Sequence, residues 1–193
     1  MATKSDRDPV ESFATSSALA LWLQKHHATS SGVWLKLAKK DAPLKSVTYA
    51  EAIDVALCWG WIDGQKRPLD NVAWLQRFSR RGPRSIWSKI NVAKAEALIA
   101  SGAMQAPGLV EAERAQADGR WARAYAGAKS AEIPVELAAA LQKSKRATAF
   151  WDALDKTNRY AVVFRVHNGK RPETRERNAA KLVAMMERGE KLH

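Results

Sequence analysis

CWGWIDGQKRPLDNVAWLQRFSRRGPRSIWSKIN, residues 58–91, is where the chain changes its period. Within this stretch, up to about residue 80, the pattern has a spacing of two. Trp74, Gln76 and Phe78 alternate with Ala73, Leu75 and Arg77, as the two faces of a strand require. WIDGQKR and NVAWLQRFS are both short and aromatic or β-branched, and the PLD between them marks a hairpin. After RRGPRS the spacing becomes helical and stays so. Strands before this point and helices after it predict an α+β fold. A small antiparallel sheet in the N-terminal half is packed with helices, and the C-terminal third is all helical.

Outward from the hairpin, towards the N-terminus, Thr48 and Glu51 form a capping box ahead of an apolar run. The helix it starts runs over 49–59, with Ile53, Ala56, Leu57 and Gly60 as its core stripe. GVWLKLAKK sets Val33, Leu35 and Leu37 against Trp34 and Lys36, which reads as a strand. The sheet is therefore expected from 33–39, 61–67 and 73–79. Ala18, Leu19, Trp22 and Leu23 place a first helix over 12–27. Towards the C-terminus, Asn91 is expected to cap a helix ending near Gly102. Pro107 opens another that stops at Gly119, proline favouring first turns and glycine the exits. Further helices are expected over 135–142, 144–154, 158–167 and 172–188. In the last, Ala179, Leu182, Val183 and Met186 form one stripe, and Gly189 is the stop. The domain reading is an α+β core over 1–130, carrying the Trp/Arg-rich hairpin and loop, and a helical subdomain over 131–193.

The composition, 46% hydrophobic and 27% charged, is that of a folded chain. A single cysteine, Cys58, excludes an internal disulfide and a cysteine-rich zinc site, and its apolar surroundings suit a buried thiol. No segment reaches the length of an apolar membrane span. The N-terminus mixes acids with bases and has only ALALWL as an apolar piece, so no export signal is expected and the chain is expected to be cytoplasmic. The formal net charge is +12. It is unevenly spread: residues 63–95 carry 8 basic and 2 acidic groups, and residues 143–193 carry 13 and 6. Such concentration favours a basic binding face over a uniformly solvated surface.

The candidate anion site is RFSRRGPRSIWSK, with Arg77, Arg80, Arg81, Arg84, Ser88 and Lys89 as its donors. Guanidinium forks take phosphate or carboxylate in two-pronged fashion, and Gly82 and Pro83 shape a loop. Trp59, Trp61, Asp63 and Trp87 are the candidate wall. The alternatives are packing of element ends for the tryptophans, a turn for Asp63, and a solvated loop for the arginines. Read as exposed charges, Arg80, Arg81 and Arg84 are expected to be replaceable by alanine with folding almost intact. Lys170, Arg171, Arg175, Arg177 and Lys181 form a second cluster, interleaved with Glu173 and Glu176, which reads as a salt-bridged helix. His26 and His27 diverge by roughly 100° on a helix and make no chelating pair. No phosphate-binding loop, dinucleotide fingerprint or serine elbow occurs, so no metal, cofactor or catalytic residue is assigned.

GWIDGQKRPLD, RFSRRGPRSIWSKIN, GLVEAERAQADGRW and KRPETRERN, taken in order, closely resemble the YdeI/OmpD-associated family, also called bacteriocin-protection proteins. The resemblance covers about residues 45–190. The last motif departs at Asn178, where arginines often continue. The resemblance implies a role in resistance to bacteriocins and cationic antimicrobial peptides, and it brings no reaction and no catalytic residue.

Three functions compete. The first is a non-enzymatic protein binding an anionic ligand or partner through the arginine loop. A second is nucleic-acid binding, since basic residues interleaved with aromatics suit phosphate contacts and base stacking. The third is an enzyme on a phosphorylated or carboxylated small molecule with Asp63 as base. That reading needs one pocket joining Asp63 to the arginines.

Overall fold

The computed structural model describes residues 7–193. Contacts divide the chain into two units. One holds the chain up to Trp87 and then Asn91–Arg123, the other Ser88–Ile90 and Ala124–His193.

The first unit is built on a four-stranded sheet. Its strands are Val10–Glu11 (β1), Gly32–Ala38 (β2), Trp61–Pro68 (β3) and Ala73–Arg80 (β4), in the order β1-β2-β4-β3. The hairpin of β3 and β4 and the pairing of β2 with β4 are antiparallel, as the alternation requires. Asp70 sets the hairpin turn: its Oδ1 accepts from the backbone N–H groups of Val72 and Ala73 at 2.9 and 2.7 Å. Register slips between Asp63 and Lys66. The buried amide of Gln76 holds that bulge, donating to the carbonyls of Gly64 and Gln65 at 2.9 and 3.2 Å.

Two features of the sheet depart from the expected pattern. β1 is an additional strand, and it runs parallel to β2. Two residues carry no periodicity, so they left no signal. β2 was expected to alternate, yet Trp34 is as buried as Val33, Leu35 and Leu37. β2 lies between β1 and β4, and the Arg67 guanidinium covers the Trp34 ring at 4.3 Å from its centroid.

Helices Ser16–His26 (α1) and Tyr49–Cys58 (α2) pack on each other, with Leu19, Leu23, Ile53, Ala56 and Leu57 buried. Thr15 caps α1, so the helix starts later than the expected residue 12. Thr48 and Glu51 complete the capping box of α2 from both sides. Lys89–Ala100 (α3) starts two residues before Asn91, which is therefore inside the helix and not its cap. Ala106–Ala117 (α4) has Pro107 in its first turn and gives way to Gly119 at φ +76°.

The second unit is helical. Val135–Leu141 (α5), Lys145–Ala153 (α6) and Lys156–His167 (α7) each pack against Pro172–Glu187 (α8). The expected stripe of α8, Ala179, Leu182, Val183 and Met186, is buried against Leu137, Leu141, Trp151, Val162 and Val166. Ser144 and Asp155 cap α6 and α7 by accepting from the N–H groups of Ala147 and Asn158. Asn158 is buried, and its amide exchanges hydrogen bonds with the backbone of His193.

Among the described residues no helix is long and apolar enough to cross a membrane.

Candidate anion-binding site

In the first unit, a cavity of about 290 Å³ lies where α1, α2, β4 and α4 meet, lined by His27, Ala28, Trp59, Gly60, Arg80, Arg81, Pro107 and Glu111. Gly60 makes the corner between α2 and β3 at φ +70°. A Cβ there would come within 2.8 Å of the Pro107 carbonyl, so the first turn of α4 can close on this corner only if residue 60 is glycine. Trp59, one residue earlier, packs against the His27 ring at 4.9 Å between centroids, with the ring planes tilted by 39°. The Nδ1 of His27 lies 3.0 Å from the Leu23 carbonyl, which can only accept. Nδ1 therefore carries the proton, and in the neutral ring Nε2 is an acceptor.

Arg80 ends β4, opposite Trp61 in the ladder. Its Nη1 donates to the Ala28 carbonyl at 3.0 Å, which fixes an otherwise exposed side chain beside the cavity. The next residue ties the corner together, with the Arg81 backbone N–H donating to Gly60 O at 3.0 Å. Across the cavity, Glu111 takes Arg114 on Oε1 at 2.7 Å. Its Oε2 is buried with no hydrogen-bond partner among the described residues. Arg80 and Arg81 line the cavity together with Glu111, whose charge Arg114 balances from outside the lining, so the cavity is net positive.

Of the residues singled out in the sequence, Trp59, Arg80 and Arg81 converge here. The others do not. Trp61 is fully buried, edge-on to Trp22 at 5.9 Å, and its Nε1 donates to the His27 carbonyl at 3.3 Å. It braces the cavity from behind without lining it. Asp63 accepts from the Tyr49 hydroxyl at 2.6 Å and is absent from the cavity lining. This cavity therefore does not join Asp63 to the arginines. Arg77 lies on the other side of β4, in an ion pair of 2.6 Å with the buried Asp8. Arg84 is exposed in the loop. Trp87 is core, packed on Trp121 at 4.7 Å. Ser88 and Lys89 belong to the second unit, where Ser88 bridges Tyr125 and the Lys89 N–H donates to the Tyr125 carbonyl. There Lys89 borders a second cavity of about 360 Å³ with Tyr125, Tyr160, Phe164, His167 and Arg175.

Arginine density in the loop has a structural component that its sequence did not reveal. Arg81 is only 6% exposed, so replacing it does bear on folding. Its guanidinium sits 3.6 Å from the Trp87 ring centroid, and its Nη1 donates to the Ile86 carbonyl. Arg120, also buried, donates to the Ser85 carbonyl at 2.8 Å. Two arginines therefore satisfy loop carbonyls that have no ladder partner.

Sequence reasoning missed His27 and Glu111 as cavity residues. His27 was weighed only as a chelator, and Glu111 lies in the long motif GLVEAERAQADGRW with nothing local to distinguish it. Cys58 is buried, and desolvation together with the nearby Asp54 charge pushes its thiol pKa up. Among the described residues no group of three or more His, Cys, Asp or Glu is placed to hold a metal ion.

Two family models match the chain. Residues 11–111, just over half of it, match a Domain of unknown function (DUF8412). Residues 130–189 match the model described as Bacteriocin-protection, YdeI or OmpD-Associated. No curated protein and no solved structure matches.

Proposed function

As a member of the YdeI/OmpD-associated family whose larger part belongs to the Domain of unknown function (DUF8412) family, this chain is, we propose, a non-enzymatic binding protein for a small anionic ligand or an anionic group of a partner. The observation that carries the proposal is the convergence of Trp59, Arg80 and Arg81 on one electropositive cavity. Arg80 uses Nη1 on the Ala28 carbonyl and keeps the remainder of its fork for a ligand, while Trp59 and His27 supply an aromatic wall. A carboxylate or phosphate matches that fork. The volume suits a ligand of a few heavy atoms at the lower end of small-molecule sites.

The part in bacteriocin protection that the family description names is, in this reading, indirect. A chain of net charge +12 repels a cationic peptide at long range. Protection would therefore come through regulation or through envelope components, not by capture of the peptide.

Calorimetric titration of the whole chain with inorganic phosphate, citrate and acetate tests the proposal. We expect one of them to bind, and Arg80→Ala to weaken it by about 1.5–3 kcal/mol, the value of a charge-assisted hydrogen bond. Trp59→Ala should weaken binding further. If none of the three binds, or if Arg80→Ala binds equally well, the cavity is not an anion site.

A further inference from the structure

We propose that the groove beside Trp74, away from the residues singled out above, binds single-stranded nucleic acid. This groove, about 610 Å³ and open, is lined by Ala38, Lys39, Lys40, Lys66, Pro68 and Trp74. It lies at the end of β2 and the start of β4, where Leu37 pairs with Trp74 and Ala38 with Ala73. Trp74 is half-buried, with one side of its ring against Tyr49 at 5.9 Å and the Lys66 ammonium 4.4 Å from its centroid.

The lysines set this groove apart. Lys39, Lys40 and Lys66 are exposed, and none makes an ion pair among the described residues. Two acids are near: Asp41, which follows Lys40 directly in the chain, and Asp70. Asp70 is already held by two backbone N–H groups and lies 3.8 Å from Lys36. Three like charges lining one groove repel one another, and a polyanion relieves that repulsion. The scaffold is firm: the Lys39 N–H donates to the Val72 carbonyl at 2.9 Å, Pro68 stiffens the opposite wall, and Asp41 at φ +61° turns the chain sharply after Lys40.

The ring decides the class of polyanion. Lysines alone would take any phosphate, but a tryptophan beside them offers a stacking surface, which unpaired bases use and duplex bases do not. On binding, a base takes the place of the Lys66 ammonium over Trp74, and that ammonium moves to the adjoining phosphate. Three lysines and one ring match a footprint of a few nucleotides.

The test is fluorescence anisotropy of the whole chain with labelled oligothymidine and oligouridine at several salt concentrations. We expect binding whose logarithm falls with the logarithm of salt at a slope of about −2, as three neutralised phosphates on a single strand give. The K39Q/K40Q/K66Q variant should lose about tenfold or more in affinity and most of that slope. A charge-matched variant, K129Q/K143Q/K181Q, should keep the wild-type affinity. Trp74→Leu should bind roughly 5- to 100-fold more weakly with the slope retained. Trp74 is half-buried, so circular dichroism accompanies it, and if that variant does not fold the exposed-lysine variants decide. The proposal is overturned if neither oligonucleotide binds, or if both lysine variants weaken binding equally. It is likewise overturned if duplex DNA or phosphatidylglycerol vesicles bind as tightly as the single strands.

Discussion

At the scale of single residues, arginines that look alike in RFSRRGPRS do different things. Arg77 neutralises Asp8, whose side chain is only 4% exposed, and Ser31 donates to the other carboxylate oxygen at 2.8 Å. Removing the guanidinium leaves a buried charge without its partner, which typically costs about 3–5 kcal/mol. Arg84 is exposed, and its loss should change stability by no more than about 0.5 kcal/mol. Urea unfolding of Arg77→Met and Arg84→Ala should separate the two by several kcal/mol. Equal midpoints would show that the Asp8 pair contributes nothing. This difference was invisible in the sequence. Arg77 and Asp8 are 69 positions apart, and only the parallel strand β1 beside β2 brings them together.

At the scale of elements, much was legible because each local signal agreed with its neighbours. Thr48 and Glu51 close a capping box, Asp70 a turn, and Pro107 and Gly119 bracket a helix. Asn91 failed as a cap because α3 begins earlier, at Lys89. Pairing between helices is another matter. Glu136 on α5 and Arg175 on α8 form a 2.6 Å ion pair, whereas from the sequence the salt bridges of the Arg175 cluster read as lying within its own helix, among Glu173 and Glu176. Burial pushes the Glu136 carboxyl up, but the Arg175 hydrogen bond and charge outweigh it, so its pKa lies below the ordinary 4.5. A carboxyl depressed in the folded state contributes stability above its unfolded pKa, and loses it as pH falls through the folded one. Glu136→Gln should therefore destabilise the protein by about 2 kcal/mol at pH 7. As pH is lowered from 7 to below the ordinary 4.5, the gap between the variant and the wild type should shrink. Denaturant curves at the two ends of that range check this, and a gap unchanged by acid would mean that the pair is not the source.

At the scale of the whole molecule, the charge of +12 makes its own prediction. If protection against cationic peptides is indirect, polylysine should not bind the chain even at low salt, where attraction or repulsion is strongest. Saturable binding of polylysine in a sedimentation or calorimetric titration would overturn the indirect role. Charge, periodicity and caps are properties of neighbouring residues, so the sequence by itself determined the α+β layout, the hairpin, the helical C-terminal part and the basic balance. Which cations are spent on the protein's own carbonyls and carboxylates, and which face solvent, depends on residues far apart in the chain. Arg77 is spent on Asp8, and Arg81, though it borders the cavity, gives its Nη1 to the Ile86 carbonyl, whereas Arg80 borders the cavity and Lys39, Lys40 and Lys66 line the groove beside Trp74. Only the tertiary structure decided that, because burying a charge requires a partner, and the fold alone supplies the partner.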